Sequence, residues 1–292
     1  MNDLSPPWSL TAQLSQALRA VLGMPKRTKT IYVVSAPTGN LMFRIMFSLR
    51  LQQLLPGSPI SGVLMHEWNI RSRRMDRPKR AISSGAGHRV DLGALARQTL
   101  NSDCDGVEIH CFAQRLEYFA DRRAEFMKLF ASPVAGAETF PYEIVFNIRA
   151  GDILEGSHPD YMPLPISYYR ELVRETGLRP VFLGQTSSNW YTDALRAALP
   201  DARWLKSESW LHDFQTIRNA SVAAIPVSTF AWLASWLSPR ATKIYLPVLG
   251  LFNPAQRPDV DLLPSSDSRY EFRALPVVRY FATKEQKQWL VD

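Results

Sequence analysis

Between Glu143 and Val248 the chain alternates between short apolar runs and longer amphipathic segments. EIVFNI (143–148), PVFLG (180–184), ARWLK (202–206), VAAIPV (222–227) and KIYLPV (243–248) are short and rich in branched and aromatic residues, so each reads as a strand. SYYRELVRETG (167–177), NWYTDALRAAL (189–199), SWLHDFQTIRNA (209–220) and STFAWLASWL (228–237) lie between them and read as helices. Ser167 is expected to cap the first of these and Gly177 to stop it. Such alternation admits few folds. Parallel strands cannot be joined by hairpins; they need crossovers, and the crossover helices then cover both faces of the sheet. The expected class is α/β.

The first half begins the same way. TIYVVS (30–35) reads as a strand, PTG as a turn and NLMFRIMFSLRLQQLL (40–55) as a helix opening at Asn40. SGVLMHEW (61–68) and GVEIHCF (106–112) read as strands, DLGALARQTL (91–100) and DRRAEFMKLF (121–130) as helices. Residues 9–22 place Leu10, Leu14, Leu18, Val21 and Leu22 on one side of a short helix. Small residues and proline in ASPVAGAETFPYE (131–143) mark a junction. The 292 residues leave room for two domains, expected at 1–135 and 136–292 and facing a cleft.

Composition narrows the partners. Hydrophobic residues make up 46% and charged residues 21%, a globular balance. Two cysteines, Cys104 and Cys111, are too few for a disulfide framework. With His110 they lack the second Cys/His pair that a metal site needs, so no metal is expected and both read as core residues. The formal charge of +7 suits anionic partners. RSRRMDRPKR (Arg71–Arg80) holds six basic residues against Asp76 alone; it reads as a solvated loop, or as a contact with anionic lipid or an acidic glycan. No aromatic residues interleave with it, so nucleic acid is not the expected partner. ASVAAIPVSTFAWLASWLSP (220–239) is uncharged and long enough to span a bilayer, but Pro226 divides it into a buried strand and a buried helix. The opening MNDLSPPWSL has an acid and two prolines where a secretory leader needs a basic and an apolar stretch. A cytoplasmic protein is expected, with peripheral attachment at the membrane's inner face as a further option.

Chemistry is expected where strands give way to loops. IRAGDIL (148–154) places Arg149 and Asp152 at such an end. Arg149 supplies a planar cation suited to a diphosphate, and Asp152 either pairs with it or fixes the loop. In VVSAPTGNLMF (33–43), Gly39 turns the chain and Asn40 either caps the helix or lies beside an anion at its start. In VSTFAW (227–232), Ser228 and Thr229 open another helix. Asp213 is either a surface carboxylate or an acceptor for the edge of a base. Three anion-friendly strand ends point to a nucleotide diphosphate. His66, Glu67, His158 and Asp160 are candidates for a general base, and none stands out.

These stretches carry a resemblance. TGNLMFRIMFSLRL resembles the GNQMFQYAFARAL opening of bacterial α-1,2-fucosyltransferases, and NIRAGD resembles their HIRRGDY. LPISYY and HDF…IRNASVAAIPVSTFAWLASWL follow in the same order as their closing motifs, over roughly residues 30–55 and 143–250. That family shares its motifs with nodulation and protein O-fucosyltransferases. The resemblance implies a two-domain glycosyltransferase fold of the B type, GDP-fucose as donor, inversion at the anomeric carbon, and neither cofactor nor catalytic metal. A glycan or glycolipid hydroxyl would be the acceptor. It implies that Arg149 neutralises the leaving diphosphate and that Ser228, Thr229 and Phe230 hold the phosphates. Asn40 would face the donor, and Asp213 would read guanine. The sequence departs from the pattern at Pro37, Leu41, Asn147 and Ala150, which stand where the family has a glycine, a glutamine, the motif histidine and a second arginine. A different nucleotide sugar, or a binding protein without catalysis, is the alternative.

Overall fold

The computed structural model describes residues 28–73 and 75–292, with the backbone of Asn2–Asp3. The chain divides into two compact units, Met1–Ala131 and Ser132–Asp292. The amphipathic stretch at 9–22 lies outside the described residues.

The C-terminal unit is built on six parallel strands: Glu143–Ile148, Arg179–Gly184, Arg203–Trp204, Val222–Ala224, Lys243–Val248 and Tyr270–Ala274. Numbered from Glu143, they lie in the order 3-2-1-4-5-6. Glu143–Ile148 is buried at every position, because helices cover both faces of the sheet. Crossovers leave the first and fourth strands in opposite directions. A doubly wound sheet opens a crevice there, at the carboxyl ends of those two strands.

The helices start where their capping chemistry allows. Asn189 and Thr192 form a reciprocal capping box before Trp190–Ala198. Ser209 caps Trp210–Asn219 and Ser228 caps Thr229–Trp236. Ser167 is not a cap: Ile166–Thr176 begins one residue earlier, after Pro165, whose fixed φ suits a helix entry. Gly177 ends that helix at φ 64°, as expected. The uncharged stretch at 220–239 resolves into the strand Val222–Ala224 and the helix Thr229–Trp236, whose Trp232 indole donates to the Leu262 carbonyl at 2.7 Å. Among the described residues no helix is long and apolar enough to cross a membrane. The strand Tyr270–Ala274 and the helix Lys284–Val291 are additions that the sequence reading lacks.

The N-terminal unit has four parallel strands in the order Ile60–Ser61, Thr30–Val33, Gly106–Ile109, Ala81–Ser83. The helix Thr38–Leu54 packs on them with Met42, Phe43, Ile45, Met46, Phe47 and Leu51 fully buried. It opens at Thr38 after Pro37, so Asn40 is not its cap but sits inside the first turn. The expected strand over 61–68 is broken. Gly62 lies at φ 79°, and a Cβ there would stand 2.7 Å from the Val33 carbonyl oxygen, so the chain turns and resumes at Leu64–Met65 before a 3₁₀ turn at His66–Trp68.

Candidate functional site

At the crevice of the C-terminal sheet, Arg149 is the first residue past the strand Glu143–Ile148. Its Nη1 donates to the Val227 carbonyl at 3.3 Å, across from the fourth strand. Its Nη2 is 3.7 Å from Asp152 Oδ2, beyond hydrogen-bond length. The guanidinium carbon stands 4.7 Å from the centre of the Tyr161 ring. The side chain is 27% exposed, so its remaining N–H bonds open on accessible space. The sequence offers Asp152 two roles, pairing with Arg149 or fixing the loop; the pairing is loose. Asp152 is exposed, opens the 3₁₀ turn Asp152–Glu155 and accepts from the Ser157 hydroxyl at 3.2 Å.

Val227 leads directly into Ser228, Thr229 and Phe230. Ser228 is buried, and its hydroxyl accepts from the Ala231 N–H at 3.4 Å. The first N–H groups of the helix, on Thr229 and Phe230, have no carbonyl within the helix to bond. Thr229 and Phe230 are half-buried. The Phe230 ring meets Phe214 at 5.3 Å and Trp210 at 6.5 Å, which brings the start of the helix Trp210–Asn219 beside it. Asp213 lies in that first turn. It is 7% exposed, which excludes the surface carboxylate of the sequence reading. Burial pushes its carboxyl above the usual range, against the Ser207 hydroxyl hydrogen bond of 2.7 Å and the nearby His212.

Asn147 is buried inside the first strand, as the run EIVFNI predicts. Its amide lies over Gly184, where an added Cβ would stand 2.6 Å from Asn147 Nδ2. Arg149, Ser228, Thr229 and Phe230 are therefore gathered at one edge, with Asp213 on the neighbouring helix start and Asn147 beneath.

Residues that the sequence reading passed over complete this edge. Gln185 follows the second strand, and its side-chain oxygen accepts from the Ala150 N–H at 2.9 Å, which pins the turn after Arg149. A Cβ on Gly151 would stand 2.7 Å from Gln185 Nε2, so the Gln185 side chain would have to shift to admit one. Tyr161 lies under the guanidinium, and Arg257 grips Asp160 at 3.5 Å and Asp259 at 2.9 Å. The signal for Gln185 was its place just after an apolar run. Tyr161 and Arg257 follow no strand and left no signal of that kind.

Gly39 and Asn40 belong to the N-terminal unit. Gly39 is buried, and Asn40 Oδ1 accepts from Gln114 Nε2 at 2.9 Å. The basic stretch is less free than its sequence suggests. Arg77 Nε and Nη2 reach the two oxygens of Glu108, and Arg80 pairs with Asp103 and Asp105. Asp76 is therefore not its sole opponent. Arg74, at its centre, lies outside the described residues. Cys104 and Cys111 are buried, and burial raises the Cys111 thiol to about 11.

The sequence matches no model of a known protein family, and no curated protein matches it. Among solved structures the chain is similar to the E. coli heptosyltransferase WaaC with ADP, at 12% identity and a TM-score of 0.46 over 85% of this chain and 94% of that one. It is also similar to the iron-containing dodecameric glycosyltransferase TibC from enterotoxigenic E. coli, at 13% identity and a TM-score of 0.44 over 88% of this chain and 65% of that one. TibC in complex with ADP-D-β-D-heptose gives 13% identity and a TM-score of 0.43, over 87% of this chain and again 65% of that chain.

Proposed function

We propose that this chain is a glycosyltransferase of the B type that takes its sugar from a nucleotide diphosphate. The observation that carries the reading is the placement of Arg149. A half-open guanidinium lies 3.3 Å from the Val227 carbonyl, immediately before the helix start at Ser228–Thr229–Phe230, in the crevice of a 3-2-1-4-5-6 sheet. A helix start and an arginine fork are both suited to phosphate oxygens.

The reaction is a direct displacement with inversion. An acceptor hydroxyl attacks the anomeric carbon as its proton passes to a general base, and the bond to the diphosphate breaks with its electrons on the leaving oxygen. Arg149 and the N–H groups of Thr229 and Phe230 neutralise that charge, and the reading invokes no metal. Ser228 fixes the helix start through its cap. GDP-fucose is the specific donor proposed, on the motif resemblance and on Asp213, a buried acceptor suited to the amino group of guanine. The acceptor is a glycan or lipid-linked glycan hydroxyl. Contact of Arg71–Arg80 with an anionic membrane surface is retained as a proposal, resting on the six basic residues of that stretch.

Calorimetric titration with GDP, ADP and UDP tests the reading. GDP is expected to bind tightest. Tighter binding of ADP or UDP removes the guanine assignment and leaves the transferase. No binding of any of the three removes both. The changes at Asn147 and Ala150 favour one second reading, a donor-binding protein without turnover. Release of GDP from GDP-fucose decides against it.

A further inference from the structure

We propose that Tyr161 is the positioning residue for Arg149: its ring supports the face of the guanidinium and leaves the in-plane donors for the diphosphate. The inference rests on the nucleotide-sugar reading above and adds a residue that neither the motifs nor the strand ends identify.

Among the described residues, Arg149 has few partners to aim it. The Val227 carbonyl takes one N–H bond at 3.3 Å, and the Asp152 carboxylate stands off at 3.7 Å. The third partner is the Tyr161 ring, 4.7 Å from the guanidinium carbon, well inside the range of a cation–π contact. A planar guanidinium resting on an aromatic face keeps its N–H bonds pointing along the plane. That arrangement restricts the cation without using its hydrogen bonds, as a residue awaiting two phosphate oxygens requires. A carboxylate partner at full hydrogen-bond length would instead have to be displaced.

The platform is itself held. The His158 ring meets the Tyr161 ring edge-on at 5.2 Å, and the Tyr161 N–H donates to the His158 carbonyl at 3.1 Å. Asp160, the preceding residue, is gripped by Arg257 at 3.5 Å, and Arg257 is fixed in turn by both oxygens of Asp259. The Asp160 carbonyl lies on Gly250, where an added Cβ would stand 2.0 Å from its oxygen. The Pro159 carbonyl accepts from the Tyr280 N–H at 3.1 Å. Burial raises the Tyr161 hydroxyl, while Arg149 and Arg257 oppose that shift, in keeping with two guanidinium groups close to one ring. A group held within narrow limits by its surroundings loses little freedom when it acts.

The test is a double-variant cycle read by GDP affinity, with ADP and UDP as controls. Tyr161→Phe keeps the ring and is expected to bind GDP within about twofold of wild type. Tyr161→Ala and Tyr161→Leu lose the ring face and are expected to bind roughly 10-fold more weakly, within the spread of a cation–π contact. Leucine keeps apolar bulk, so it stands in if the alanine variant does not fold. In the Arg149→Ala background either change is expected to add nothing, because the platform then has no cation to support. A merely structural tyrosine would give losses that add. Additive losses, equal losses for phenylalanine and leucine, or wild-type affinity in Tyr161→Leu each overturn the role of Tyr161 while leaving the nucleotide site standing. Wild-type protein that binds none of the three nucleotides overturns the site and this inference together.

Discussion

Each parallel sheet carries an arginine at the carboxyl ends of its two central strands, and the two arginines are spent differently. In the N-terminal unit Arg44 is 8% exposed. It donates to the carbonyls of Val34 at 2.8 Å, Ser35 at 3.1 Å, His110 at 2.6 Å and Cys111 at 3.2 Å, so it ties together the residues that follow both strands. In the C-terminal unit Arg149 gives one bond at 3.3 Å and remains 27% exposed. Topology puts a cation at both edges. Only the second keeps donors in reserve, which is what the proposed binding role requires. The first is a clamp, the second a hand left open.

The comparison can be broken by removing each cation. Arg44→Met keeps the apolar stem and leaves four carbonyls without their donor, so it is expected to cost at least about 3 kcal/mol of stability, read by denaturant unfolding. A loss below about 1 kcal/mol would mean that water replaces the guanidinium easily and that the clamp is only apparent. Arg149→Ala is expected to change stability by under about 1 kcal/mol, since its ion pair is loose and part-exposed. Turnover of the nucleotide-sugar donor is expected to fall about 100-fold, as when one preorganised donor at an oxyanion is lost. Unchanged turnover in a folded variant would end the parallel. The smallest effect concerns Glu108 in the N-terminal unit. Hydrogen bonds from Arg77, with a further one from His110, hold its carboxyl at about 2, against an ordinary value of 4.5. A depressed carboxylate stabilises above its unfolded value and loses that contribution as pH falls through the folded one. The wild type is therefore expected to lose stability between about pH 4.5 and pH 2 more steeply than Glu108→Gln, by amide exchange at the strand Gly106–Ile109. Equal slopes would show that the pair contributes nothing to folding.

The sequence made the C-terminal sheet legible because its strands are buried on both faces, and continuous apolar runs such as EIVFNI and KIYLPV have few other uses. The strand Tyr270–Ala274 stayed hidden for the converse reason. It lies at the sheet edge, and Glu271 and Arg273 interrupt its apolar pattern. In the N-terminal unit a left-handed glycine divided one expected strand, a backbone event that hydropathy does not record. Arg149 and the Ser228–Phe230 segment could be found because they adjoin strand ends. Tyr161 could not. It reaches Arg149 through a loop, and nothing local distinguishes it from Tyr168 or Tyr169, which are core residues. The burial of Asp213 was equally silent, since a helix pattern does not say which polar residue is buried.

The loop beneath Arg149 is fastened by residues that are made late. Tyr280 is fully buried, and its hydroxyl donates to the Leu154 carbonyl at 3.0 Å across a separation of 126 residues. Gly250 and Arg257 hold Asp160 from similarly far along the chain. On a ribosome, the Ile148–Ala150 turn therefore emerges long before its retaining groups exist. The nascent protein passes through a stage in which the strands of the second sheet can begin to pair while this corner stays unfinished, and long-range closures of this kind are slow steps of folding. A chain cut short after the fifth strand would carry Arg149 and Tyr161 without Gly250, Arg257 and Tyr280, the groups that hold their loop.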